Sequence, residues 1–142
     1  MLHLSECNLD GHIPANVGDE LPNLIYFGCE SNPGLTGSLP ASLRKCTKLG
    51  TLNAWGCQFT AVPASLVQCQ LLHTIYLSQN RLSGGVPAFL GKLPNLETVT
   101  IFQNPLEVQD GWPYETVGDP LRQGFNTPAQ FEAIRKFFAN KQ

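Results

Sequence analysis

The sequence of 142 residues is short of charge. Asp, Glu, Lys and Arg make up 14% of it, with a formal net charge of -2, against roughly 25% charged residues in an average soluble domain. That scarcity argues against a strongly basic nucleic-acid or membrane-surface binder, and against an acidic disordered tail. No apolar run approaches the ~18 residues needed to span a bilayer, and no signal-like segment opens the chain. No Asn-x-Ser/Thr acceptor is present; Asn126-Thr127-Pro128 does not qualify. Cys7, Cys29, Cys46, Cys57 and Cys69 are odd in number and contain no C-x-x-C. These features point to a reducing, cytoplasmic setting. A plain helical bundle is also disfavoured, because its outer faces need far more Glu and Lys.

Leucine is unevenly placed. Of 20 leucines, 19 lie at or before Leu106, and the remainder of the chain holds only Leu121. Self-similarity explains the skew. Five segments align, beginning at Leu2, Phe27, Leu52, Ile75 and Val99, with steps of 25, 25, 23 and 24 residues. An Asn/Cys column runs through Cys7, Asn32, Cys57, Asn80 and Asn104 with the same steps. Leu24, Leu49, Leu72 and Leu96 each precede a segment by three residues. Three downstream stretches share a second motif, Leu9-Asp-Gly-His-Ile-Pro14, Leu35-Thr-Gly-Ser-Leu-Pro40 and Leu82-Ser-Gly-Gly-Val-Pro87. The third repeat departs: Phe59-Thr-Ala-Val-Pro63 lacks the glycine and is one residue shorter. A second strand is therefore in question in that repeat.

The pattern L-x-x-L-x-L-x-x-N/C-x-L resembles the leucine-rich repeat family, and L-x-G-x-[IL]-P resembles its plant-type subclass. The resemblance covers residues 1–106, with the first repeat incomplete. It implies an α/β solenoid of about five parallel strands on the concave face, with short 3₁₀ or α turns on the convex face.

Elementary physics fits this reading. Period-two alternation sends both apolar residues of L-x-L inward. An inward Asn can satisfy buried backbone groups of an adjacent loop, so stacked repeats build a ladder of such residues. Cys7 and Cys57 suit the same slot as small buried side chains. Proline opens each return stretch, where a first helical turn tolerates it. Leu21, Cys46, Cys69 and Leu93 recur as inward convex positions. Cys46 and Cys69 share a slot in neighbouring repeats, yet core thiols are expected there, because the convex side splays wider than disulfide geometry allows.

The ends differ. The opening half-motif of repeat one is absent, which leaves Leu2, Leu4, Leu9 and Ile13 facing solvent on one side. A domain cut from a longer chain explains this; a partner or second copy stacked on that edge is the functional reading. At the other end, residues 107–142 form a cap. Thr127-Pro-Ala-Gln130 reads as a capping box, and Phe131, Ile134 and Phe138 share one face of a helix over about 128–139. Trp112 and Phe125 are further plugs. This tail is similar to that following the last repeat in some intracellular bacterial and protist members of the family.

The outward strand positions give the candidate site. Trp55, Tyr76 and Phe102 come from three successive strands about 4.8 Å apart and should form one aromatic patch. Ser78 lies among the outward positions of the same column. Tyr26, Glu30 and Asn53 stand beside the patch, and Gln79 and Gln103 end the row. Such a cluster is a candidate hot spot for a protein or peptide, with a glycan stacking on the rings as a second ligand class. The competing reading is aromatic packing across strands alone.

Catalysis finds no support in the sequence. His3, His12 and His73 fall at different repeat positions, no G-x-S-x-G occurs, and no glycine-rich loop carries a following Lys-Ser/Thr. Cys69-Gln-Leu-Leu-His73 has ligand spacing, but the register sends Cys69 inward and His73 to the strand edge. No metal or other cofactor is expected. A non-catalytic interaction module is the leading expectation. The alternatives are an extracellular recognition domain, of receptor-ectodomain or cell-wall-enzyme-inhibitor type, and a regulatory segment of a larger signalling enzyme.

Overall fold

The computed structural model describes residues 1–141. Eight short strands alternate with turns along a stacked coil: β1 Leu2–His3, β2 Asp10–Gly11, β3 Tyr26–Gly28, β4 Gly34–Ser38, β5 Thr51–Asn53, β6 Gln58–Ala61, β7 Thr74–Tyr76 and β8 Thr98–Thr100. They form two parallel sheets, ordered β1-β3-β5-β7-β8 and β2-β4-β6. The first sheet keeps the repeat register, with Phe27 opposite Leu52, Leu52 opposite Ile75, and Ile75 opposite Val99. Those four residues are fully buried. The alternation of strand side chains therefore sets one continuous core, stacked repeat on repeat.

The convex side returns through three 3₁₀ turns, Ala41–Lys45, Ala64–Gln68 and Ala88–Lys92. Each follows an extended proline, Pro40, Pro63 or Pro87, whose fixed φ aims the chain into the turn. The first repeat uses a short helix instead, α1 Val17–Glu20. It lies close under the next turn: a Cβ on Gly18 would sit 1.8 Å from the Ser42 carbonyl oxygen. The Gly18 N–H also donates to Ser42 Oγ at 3.0 Å. Only glycine fits this approach.

The second sheet corrects the sequence reading. The shortened third repeat does form a strand, β6, which pairs with β4 through a register shift between Gly37 and Ser38 that leaves Thr60 of β6 without a partner in the ladder. The fourth repeat, with its motif intact, forms no strand over Leu82–Val86. Its backbone is held by Gln109 instead, whose side chain accepts from Val86 N–H at 3.1 Å and donates to Val86 C=O at 2.9 Å.

At the open end, Leu2, Leu4 and Leu9 are half-buried, and Met1 is 72% exposed. Ile13 departs from expectation and is buried, packed into the core of the following repeat. Leu21 also departs: it is 41% exposed, because its convex position has a neighbouring repeat on one side only. Cys7 is exposed for the same reason.

At the far end, Phe125 pairs antiparallel with Val99, each backbone N–H donating to the other's carbonyl at 2.8 and 2.9 Å. This closes the edge that β8 would otherwise leave open. Helix α2 spans Tyr114–Val117 and α3 spans Pro128–Ala139. The Thr127–Gln130 capping box forms, and Gln130 also donates to the Val117 carbonyl at 3.0 Å. Trp112 sits among Phe125, Phe137 and Phe138, and its indole N–H donates to Gly118 C=O. Gln142, the last residue of the expected cap, lies outside the described residues. No helix among the described residues is long and apolar enough to cross a membrane.

Candidate functional site

The inward ladder fixes the strand ends that carry the site. Asn32 accepts from the N–H groups of Cys7 and Leu9 and donates to the carbonyls of Leu4 and Cys29. Asn80 accepts from Phe59 and donates to Ala54 and Leu77. Asn104 accepts from Leu82 and donates to Leu77 and Ile101. Each amide thus staples its own loop to the loop before it. The step after each strand also turns through a left-handed residue. Glu6, Ser31, Gln79 and Gln103 have φ between 51° and 60°, and Gly56 has φ 72°. Sequence patterning places this column at the end of the row but does not show its left-handed turn, because glycine stands at only one of its five positions.

On the concave face, the Trp55 and Phe102 rings meet edge-on with centroids 5.3 Å apart. Both are half-buried. They reach each other across the intervening strand, whose residue in that column is Ser78. The structure corrects its exposure: Ser78 stands in the outward column yet is fully buried. Tyr76 does not join the pair; among the described residues it has no aromatic ring partner. It stands two residues earlier on its strand, so its ring leaves the sheet in the neighbouring column. A second aromatic contact forms nearer the open end, where His3 and Tyr26 stack at 4.3 Å. Tyr26 lies close over Gly28, where a Cβ would be 2.6 Å from its ring. Asn53 accepts from the Trp55 N–H at 3.3 Å, and Glu30 is half-buried beside it. Gln79 and Gln103 are exposed at the end of the row.

The histidines stay apart. His12 Nδ1 lies 3.1 Å from Thr36 O, and His73 Nδ1 lies 2.8 Å from Thr74 Oγ1. Among the described residues no three His, Cys, Asp or Glu converge as metal ligands.

The five cysteines are free thiols. Cys46 and Cys69 form a convex ladder, donating to the carbonyls of Leu21 and Leu43. Burial pushes the Cys69 thiol up to about 11 and raises Cys46 as well. A hydrogen bond to Cys57, and burial, hold Cys29 far above the ordinary thiol range.

A solenoid with an Asn/Cys ladder, a parallel concave sheet and convex 3₁₀ turns defines the fold as a leucine-rich repeat solenoid of the plant type. The Leucine Rich Repeat family profile matches residues 71–93. Receptor like protein 28 of Arabidopsis thaliana is 28% identical over 110 residues, covering 78% of this chain and 14% of that protein. Among solved structures, the plant peptide hormone receptor RGFR1 in complex with RGF2 is 30% identical with a TM-score of 0.64, covering 70% of this chain and 16% of that one. The ectodomain of the receptor kinase SOBIR1 from Arabidopsis thaliana is 28% identical with a TM-score of 0.65, covering 72% and 55% respectively. The Arabidopsis receptor kinase HAESA ectodomain, solved with an IDA peptide hormone ligand, is 28% identical with a TM-score of 0.62, covering 68% and 16%. The chain therefore spans a small part of the curated relative it matches. These relatives are receptor ectodomains and a receptor-like protein, and they do not support the intracellular expectation.

Proposed function

We propose that this chain is a non-catalytic recognition module working outside the cell, and that it binds an extended peptide on the concave face through Trp55 and Phe102. The observation that carries this reading is the half-buried edge-on ring pair on a sheet face where alternation would place polar residues. Preformed strands hold the pair, so binding orders few side chains and loses little entropy. Asn53 and Glu30 flank the pair as polar contacts, with Tyr26, Tyr76, Gln79 and Gln103 as the rim. Residues 1–106 form the recognition body in this reading and 107–142 its cap. Two of the similar structures are described as complexes of receptors with peptide hormones, which supports a peptide over a glycan.

The extracellular setting departs from what the cysteine count suggests. Burial removes that objection. Four of the five thiols are buried and hydrogen-bonded or held protonated in the core, out of reach of an oxidising solvent.

A display library of random short peptides, panned against the immobilised chain, tests the reading. Selected peptides should lose about thirtyfold or more in affinity to a Trp55→Ala, Phe102→Ala variant that keeps its fold, the size of a ~2 kcal/mol hot spot. Equal binding to both proteins overturns it. Competition by a soluble oligosaccharide in place of peptide would move the ligand class to glycan.

A further inference from the structure

We propose that the Trp55–Phe102 pair is a closed lid over a polar anchor, the Ser78 hydroxyl, and that an uncharged peptide segment opens it. The inference rests on the concave-face reading above and names the subsite within it.

Ser78 sits on the strand between the two rings. The Gly56 N–H donates to the Ser78 carbonyl at 3.0 Å, and the Gln79 N–H donates to the Phe102 carbonyl at 3.1 Å, so the backbone of all three strands is tied at this point. The side chain is another matter. Ser78 has no exposed surface, and its hydroxyl has no hydrogen-bond partner among the described residues. Thr100 Oγ1, two residues before Phe102 on the next strand, is also buried and unpartnered. Folded proteins leave few buried hydroxyls without partners, because each gives up its bonds to water for nothing. The Ser78 hydroxyl, in the column between the two rings, marks a polar floor with an apolar cover.

The rings touch at one edge, 5.3 Å apart, and both are half-buried. Serine is small enough to let them meet above it. Rotation of the Phe102 ring away from Trp55 would expose a hydroxyl able to donate to a peptide carbonyl and accept from a peptide N–H. An apolar side chain of the ligand would then replace the lost ring contact between Trp55 and Phe102. The outward positions on β7 and β8 and the residues that follow them are Thr74, Tyr76, Ser78, Thr98, Thr100 and Phe102, with no charge among them. Glu30 lies on the Trp55 side of the pair, so the part of the segment that lies over β7 and β8 is the uncharged part.

The test uses the full chain carrying fluorotryptophan, and peptides selected from the random library. Fluorine NMR separates Trp55, on the lid, from Trp112, buried in the cap. Selected peptides should shift the Trp55 resonance and leave Trp112 in place. Ser78→Ala should raise the thermal midpoint, since it removes an unpaired buried hydroxyl, and weaken those peptides about tenfold or more, equivalent to about 1.4 kcal/mol. That combination is not produced by a serine that serves packing alone. An unchanged affinity in Ser78→Ala, together with lost binding in Trp55→Ala, overturns the lid and leaves the concave-face reading standing. A lowered midpoint in Ser78→Ala also overturns it, because the hydroxyl would then be paired. If neither variant alters binding, both readings fall.

Discussion

The Cys57 thiol donates to the carbonyl of Cys29 at 3.2 Å, taking the place that an asparagine amide takes in the other repeats. The corresponding donor bonds are Asn32 to Leu4, Asn80 to Ala54 and Asn104 to Leu77. An asparagine would also accept from the loop before it. Here that acceptor is not needed. The second repeat carries an additional residue between Asn32 and Leu35, and the Leu35 N–H bonds back to Asn32 C=O at 3.0 Å. The loop is self-satisfied, so a single-donor thiol completes the position.

Restoring the family residue at this position should therefore harm the protein. Cys57→Asn would bury a carboxamide oxygen with no donor facing it, at a cost of about 1–2 kcal/mol. Chemical denaturation should show a lower midpoint at unchanged slope. An increase in stability would mean that the Leu35 N–H is available after all.

Asn80→Ala should cost more, about 3 kcal/mol. It leaves the Phe59 N–H and the Ala54 carbonyl without their side-chain partner inside the core. Because each repeat is stabilised mainly by its neighbours, hydrogen exchange should accelerate first in the two loops on either side of Asn80.

The left-handed column predicts opposite effects at two positions. Gly56→Ala meets no clash, with the nearest heavy atom at 3.6 Å, so its cost of about 1 kcal/mol is conformational. Gln79→Gly, at φ 58°, should gain up to about 1 kcal/mol by relieving the same penalty. Thermal midpoints of the two variants should move in opposite directions.

The buried thiols set an alkaline limit. Cys69 is raised from 9.0 to about 11 in the folded chain, so the native state holds its proton where the unfolded state loses it. The Cys69 contribution to stability should be constant below pH ~9 and fall by about 1 kcal/mol per pH unit toward ~11. Cys46, raised by burial too, acts in the same direction. Cys69→Ala should flatten this slope in urea titrations on either side of that window. In the native protein at neutral pH, Cys7 alone should react rapidly with a thiol reagent, and all five cysteines should react after unfolding.

The repeat, the inward leucines, the capping box and the Trp55–Phe102 column were all legible in the sequence. They follow from short-range periodicity, which is fixed by strand and helix geometry whatever the surroundings. The left-handed turns were not legible, because Glu6, Ser31, Gln79 and Gln103 are residues that rarely announce positive φ. Helix α2 and the Gln109 clasp on Val86 were also hidden, since both depend on loops that meet only after the repeats have stacked.

By itself, the sequence determined the solenoid: a spacing of 23 to 25 residues brings like positions into register, and apolar alternation decides which of them face inward. Tertiary structure decided everything that depends on what stands one repeat away. Cys7 and Cys57 occupy equivalent positions, yet Cys7 is exposed and Cys57 buried, because a preceding repeat covers only the second. Ser78 reads as an outward polar residue, yet it has no exposed surface, and the rings on either side of it in that column meet 5.3 Å apart. Periodicity assigns a side chain to a face. Its environment is set by neighbours some 24 residues distant, whose size and hydrogen-bonding needs no local pattern records.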